Sequence, residues 1–166
     1  MDVLYGAPVP FTLSDLLALP SVQSARPEPA GFRDGLDERV VRWVHTSEIH
    51  DIAPLLKGGE ALLTTGLGLV ALPAEAHRAY AAALARVGVA ALLLELGRSF
   101  PTAPPALLDE AARVGLPVVL LHGVVPFIEV TEEAHAAILD QEVTALREVA
   151  EQRTRLLQAM AESPGV

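Results

Sequence analysis

The run Val89-Ala90-Ala91-Leu92-Leu93-Leu94 is the longest unbroken aliphatic stretch of the chain. It is far too short to cross a membrane, which takes about 20 residues. It has the length of a β-strand, and a strand without polar alternation must be buried on both faces. Pro117-Val118-Val119-Leu120-Leu121-His122 repeats the pattern. Between and before these strands lie helices with clear ends. Residues 73–87 carry Pro73 at the first turn, Glu75 near the positive end of the helix dipole, Arg86 near the negative end and Gly88 just past the end. Residues 104–114 repeat this and stop at Gly115. Strand and helix therefore alternate, which builds a parallel sheet from βαβ units.

Two further strands are expected upstream, at residues 40–45 and 60–65, with a helical turn at 51–56 that stops at Gly58-Gly59. Thr12-Leu13-Ser14-Asp15-Leu16-Leu17 opens a short amphipathic helix with Thr12 or Ser14 as N-cap, closed by Pro20. Residues 20–39 read as a loop, with an edge strand expected at 22–25. From Thr131 a single long helix is expected to run to about Ala161, ended by Pro164-Gly165. The expected fold class is α/β: a mostly parallel sheet of about four to five strands flanked by helices, followed by a long C-terminal helix. This divides the chain into an α/β domain over residues 1–130, a helix over 131–162 and a tail over 163–166.

Composition agrees with one domain of 166 residues, 51% hydrophobic and 20% charged. Aromatics are only 4%, so Leu, Val and Ala must build the core. The absence of cysteine excludes a disulfide scaffold, a thiolate metal site and a cysteine nucleophile. The net charge of -9, with Lys57 the only lysine, offers phosphates no basic surface, so no nucleic-acid contact is expected of this chain. A mean hydropathy of +0.38 is high, but no run can span a membrane and the N-terminus lacks the pattern of a signal peptide. A cytoplasmic location is expected.

Along the long helix, Leu139, Val143, Leu146, Ala150, Leu157 and Met160 recur in steps of four and three, interrupted by Arg153. This heptad seam on an otherwise polar helix suits a two-stranded coiled coil, and hence a homodimer. The alternative is a helix packed on its own domain.

Parallel sheets gather ligands at the carboxyl ends of their strands. Four segments bring polar groups to that edge: His45-Thr46-Ser47-Glu48-Ile49-His50-Asp51, Thr64-Thr65-Gly66, Glu95-Leu96-Gly97-Arg98 and His122-Gly123. His45, Glu48, His50 and Asp51 have the residue types of a metal site, but not the spacing of a helical zinc motif. The plainer reading is that Ser47 caps a helix, with Glu48 and Asp51 at its positive end. Thr64, Thr65 and Gly66 can hold a carboxylate, a ureido group or a phosphate, or simply end a strand; the lysine and glycines of a P-loop are missing. Arg98 can clamp a carboxylate bidentately or pair with Glu95. His77 and His135 are expected at the surface or between helices. No catalytic set, nucleophile elbow or dinucleotide fingerprint is present in the sequence, and no cofactor is expected.

Several of these segments, in order, resemble the N-terminal domain of the purine catabolism regulator (PucR-like) family. They are Thr12-Leu13-Ser14-Asp15-Leu16-Leu17, Trp43-Val44-His45-Thr46-Ser47-Glu48, Leu56-Lys57-Gly58-Gly59-Glu60-Ala61-Leu62-Leu63-Thr64-Thr65-Gly66, Glu95-Leu96-Gly97-Arg98 and Val125-Pro126-Phe127-Ile128-Glu129-Val130-Thr131. The likeness covers roughly residues 5–142. It implies a ligand-sensing module at the front of a bacterial transcription regulator, with purine-breakdown intermediates such as allantoin or allantoate as emblematic effectors. The resemblance also implies a middle domain and a C-terminal helix-turn-helix domain, which are not expected within these residues, so the chain reads either as an excised sensor domain or as a stand-alone relative. The expected ligand-binding residues are His45, Ser47, Glu48, Thr64, Thr65, Gly66, Glu95 and Arg98. Phe127 and Glu129 are the expected contacts that pass a signal to the long helix. The competing reading is a small metal-dependent hydrolase of ureido or purine-derived compounds, using His45, Glu48 and His50.

Overall fold

The computed structural model describes residues 9–162. Thr12 opens α1 (Leu13–Ala18) with a reciprocal capping box. Its hydroxyl accepts from the Asp15 amide, and the Asp15 carboxylate accepts from the Thr12 amide. The segment expected as an edge strand at 22–25 is instead a helical turn, α2 (Pro20–Gln23). Pro20 supplies the fixed φ of a first helical position, and the Ser24 amide donates back to the Pro20 carbonyl. The edge strand is β1 (Glu28–Gly31), a few residues later. Its Pro29 suits a strand with only one neighbour.

The remaining elements are β2 (Trp43–Thr46), a 3-10 turn (Ala53–Leu55), β3 (Glu60–Thr64), a second 3-10 turn (Leu67–Leu69), α3 (Ala74–Val87), β4 (Ala91–Leu96), α4 (Pro105–Val114), β5 (Pro117–His122) and α5 (Phe127–Glu162). The first expected strand thus shifts to Trp43–Thr46, because Val40 and Val41 bond to the chain ahead of α1 rather than to β3. The long helix begins four residues earlier than expected. The Val130 amide already donates to the Pro126 carbonyl, and the Thr131 hydroxyl bonds to Ile128 within the helix rather than capping it. Pro164 and Gly165 lie outside the described residues.

The sheet order is β1-β5-β4-β3-β2, with β1 antiparallel to β5 and all other pairs parallel. The expected α/β class with a mostly parallel sheet and a long C-terminal helix is what the structure has. Each parallel strand is laid beside its predecessor in one direction. Connections of one hand then return on one face, and α3 and α4 do lie on the same face. They pack Tyr80, Leu84, Leu107 and Ala111 against Leu62, Leu92, Leu94 and Val118. The opposite face, with Ala61, Leu63, Leu93, Val119 and Leu121, is covered by α1 and α2 and by Val130, Ala134 and Ile138 of α5. Alternate residues of β4 thus serve two separate cores, which is why its sequence shows no polar alternation. Among the described residues, no helix is long and apolar enough to cross a membrane.

Candidate functional site at the carboxyl edge of the sheet

The parallel strands never reverse their order, so the sheet has no internal switch point to open a crevice. Whatever binds at the carboxyl edge must use the loops and the start of α5. Those loops are organised by two carboxylates.

Glu48 follows β2 and reaches the turn after β3. Its Oε1 accepts from the Thr65 amide at 2.8 Å, and its Oε2 accepts from the Thr64 hydroxyl and the Leu67 amide, each at 3.0 Å. The turn is tightened by the Gly66 amide donating to the Thr64 hydroxyl oxygen. Gly66 has φ +76, and a Cβ there would come within 2.7 Å of the Phe100 ring. At Gly68 a Cβ would stand 2.0 Å from the Glu48 carbonyl oxygen, so only glycine lets the two loops meet. The groups of this turn that could hold a ligand are occupied by a carboxylate of the chain itself. Ser47 caps no helix; its hydroxyl accepts from the Ile49 amide two residues on. The Glu48 charge also reaches Tyr80. Burial first, and that charge second, push the Tyr80 phenol far above the ordinary tyrosine range.

Glu95, next to last in β4, has its side chain on the α5 side of the sheet, only 1% exposed. Its Oε2 accepts from the Val125 amide at 2.9 Å, which ties the strand end to the segment that leads into α5. Arg98 Nε lies 2.9 Å from Oε1 across the Gly97 turn, out of line for an N–H donor, so Oε1 has an ion pair but no hydrogen bond. Of the two roles open to Arg98, pairing with Glu95 is the one the structure displays. The Arg98 side chain is 57% exposed, and its two Nη groups have no partner among the described residues. Ser99 next to it donates to the Thr65 hydroxyl oxygen at 3.2 Å, which joins the two knots.

The edge therefore brings together Glu48, Thr64, Thr65, Gly66, Glu95 and Arg98, with Ser47 nearby in the same loop. His45 stands apart. It lines a groove of about 350 Å³ beside Trp43, Leu55, Leu56 and Lys57, on the outer side of β2. His50 and Asp51 are exposed. Among the described residues, no group of three or more His, Asp or Glu is placed to hold a metal ion, so His45, Glu48 and His50 are not gathered as a metalloenzyme would need. His122 bonds to Glu28 across the β5–β1 pair.

Sequence reasoning missed three participants. Ser99 and Phe100 close over the Thr65-Gly66 turn, and polar and aromatic residues right after Arg98 were the available signal. Val125 supplies only a backbone amide, which no side-chain pattern can reveal. His135, expected merely at the surface or between helices, stacks on Trp43 with ring centroids 3.7 Å apart, and its Nε2 meets the Val44 backbone, 2.8 Å from the carbonyl oxygen and 3.3 Å from the amide nitrogen. It thereby covers the free edge of β2. His77 is buried, with Nε2 bonded to the Leu69 carbonyl.

Comparison with protein families matches residues 15–138 to the purine catabolism regulatory protein-like family. The chain belongs to that family, which makes it a regulatory domain of the kind found in transcription regulators that are generally not enzymes. No curated protein and no solved structure matches it.

Two predictions follow from this geometry. Glu48→Ala leaves the Thr65 and Leu67 amides without their acceptor and should lower stability by about 1–3 kcal/mol in urea unfolding. Gly68→Ala should lower it comparably with the carboxylate intact; a loss below a few tenths for both variants counts against the clasp. Tyr80 sets a limit at high pH. In the unfolded chain it ionises near 10.0, whereas in the fold it holds its proton well above that. Above that pH the unfolded state binds fewer protons, so stability should fall as pH rises from about 10. Tyr80→Phe should flatten this fall in unfolding curves taken from pH 9 to 11, and an unchanged slope would show that the phenol is not the source.

Proposed function

We propose that this chain is the small-molecule-sensing domain of a transcription regulator, with its effector bound along the carboxyl edge of the sheet. The observation that carries this reading is the pair formed by buried Glu95 and exposed Arg98. The unpartnered Nη groups of Arg98 suit an oxyanion, held bidentately, with the Thr65 and Ser99 hydroxyls as neighbours. Intermediates of purine breakdown, which carry carboxylate and ureido groups, are the first candidates. No cofactor is required.

Signalling follows from Glu95. An effector that engages Arg98 alters the ion pair with Glu95, and Glu95 holds the Val125 amide ahead of α5. The effector shifts α5 to the extent that it binds one arrangement of this tie better than another. Phe127, packed on the core at the start of α5, passes the change along the helix, while Glu129 faces solvent. Residues 131–162 then serve as the dimerising and signalling segment. Leu139, Val143, Leu146, Leu157 and Met160 are all exposed in the single chain and form the seam with Ala150. The protein acts in the cytoplasm, apart from membranes, and its own surface makes no contact with nucleic acid.

Thermal unfolding against purine-pathway intermediates, other carboxylates and divalent metals tests the sensor. A binder at 100 times its Kd should add about 2.7 kcal/mol. Arg98→Ala should abolish that shift while Thr65→Ala weakens it; a shift that survives Arg98→Ala removes the site from this edge. In sedimentation velocity the wild type should run as a dimer and Leu146→Glu as a monomer, and an unchanged dimer would refute the helix seam.

A further inference from the structure

Beyond the body of the domain α5 stands alone: every residue from Leu146 to Glu162 is exposed. A helical segment of that length is marginal in water unless a face of it is covered. The face in question is wider than a two-residue seam. In heptad terms Leu139, Leu146, Arg153 and Met160 occupy d, and Val143, Ala150 and Leu157 occupy a. Val149 and Leu156, 56% and 53% exposed, add an apolar g position beside them. Any partner helix must account for both oddities, the charged d layer at Arg153 and the apolar g positions.

A parallel, in-register pair accounts for neither. Each layer then meets itself, so Arg153 faces Arg153 of the partner subunit. Val149 and Leu156 face e positions, at Thr154 and Ala161 of the partner subunit. The only gain is Glu142 beside Arg147 of the partner subunit, a surface ion pair that counts for little.

We propose that two copies of this chain pair antiparallel through the projecting part of α5. The single register that satisfies both oddities sets Val143 against the partner's Met160, Leu146 against the partner's Leu157, and Ala150 against the partner's Arg153. The small side chain of Ala150 leaves room for the arginine stem to cross it and carry the guanidinium to water. Val149 then meets the partner's Leu156, so the g positions complete the apolar face. One two-fold axis generates every contact twice, as an isologous interface requires. The overlap covers residues 143–160, about 27 Å of helix. It leaves the two domain bodies at opposite ends. Each helix tip lies near the groove of about 330 Å³ that Phe11, Val41, Ile138 and Ala145 line on the other copy. This geometry rests on the reading of α5 as the dimer helix and adds its orientation and register.

The chain has no cysteine, so single engineered thiols report pairing directly. Leu146 and Leu157 are exposed in the single chain, and replacing either leaves its core intact. Leu146→Cys and Leu157→Cys are made singly and co-expressed with tags of different mass, then oxidised. The expected result is a cross-linked heterodimer from co-expression and almost no cross-linking of Leu146→Cys alone, because its thiols are about 16 Å apart along the axis. Efficient self-cross-linking of Leu146→Cys overturns the antiparallel arrangement. A wild-type dimer in sedimentation velocity with neither cross-link also overturns it, while leaving dimerisation intact. A wild-type monomer overturns the dimer reading itself, and the orientation with it.

Discussion

Strands β2 to β5 are laid down side by side in a single direction, and the helices that join β3, β4 and β5 return on one face. The other face is just as apolar and must be covered by something outside these βαβ units. The chain solves this with α1 and α2 before the sheet and α5 after it. The first turns of α5 are therefore fixed to the core through Val130, Ala134 and Ile138, while the rest of the same helix projects beyond the body. One rigid element thus touches the sheet at one end and offers an uncovered apolar face at the other. A change at the edge of the sheet cannot leave the helix unaffected if it alters how those first turns are seated.

The two carboxylates of the edge divide the work. Glu48 is turned inward: two amides and a hydroxyl donate to it and lock the loop after β2 onto the turn after β3. Glu95 is buried with one oxygen on a backbone amide and the other only ion-paired. A buried carboxylate in that condition is sensitive to its partner, since removing or redirecting Arg98 leaves a charge poorly compensated. Glu95 thus ties the end of β4 to the segment before α5, whereas Glu48 gives the edge its shape.

Much of this was legible in the sequence because it depends on periodicity and on chain breakers. The unbroken apolar runs of β4 and β5 announced burial on both faces, and Gly88 and Gly115 marked where α3 and α4 stop. Residues 22–25 were misjudged because a short β-compatible run between prolines reads equally as a strand or a turn. Pairing decides between them, and the partner of the edge strand, β5, lies about ninety residues away. The strand-end rule groups Glu48, Thr64, Thr65, Glu95 and Arg98, and the structure places them at one edge. It did not separate out His45, which lines a groove beside Trp43, Leu55 and Lys57. It could not reveal that Glu48 fills the Thr64-Thr65 turn, or that a backbone amide at Val125 meets Glu95, because neither contact leaves a mark in spacing. The seam of α5 was visible, but its apolar g positions, Val149 and Leu156, were passed over as part of a polar helix.

The central claim is that Glu95 couples the carboxyl edge to α5. Amide hydrogen exchange of Glu95→Leu beside the wild type tests it most directly, since leucine keeps the site filled but cannot accept from Val125. The account predicts faster exchange at Val125 and through the first turns of α5, with Leu92, Leu93 and Leu94 in β4 protected as before. Unchanged exchange in α5, or a uniform loss of protection across the whole domain, would contradict it.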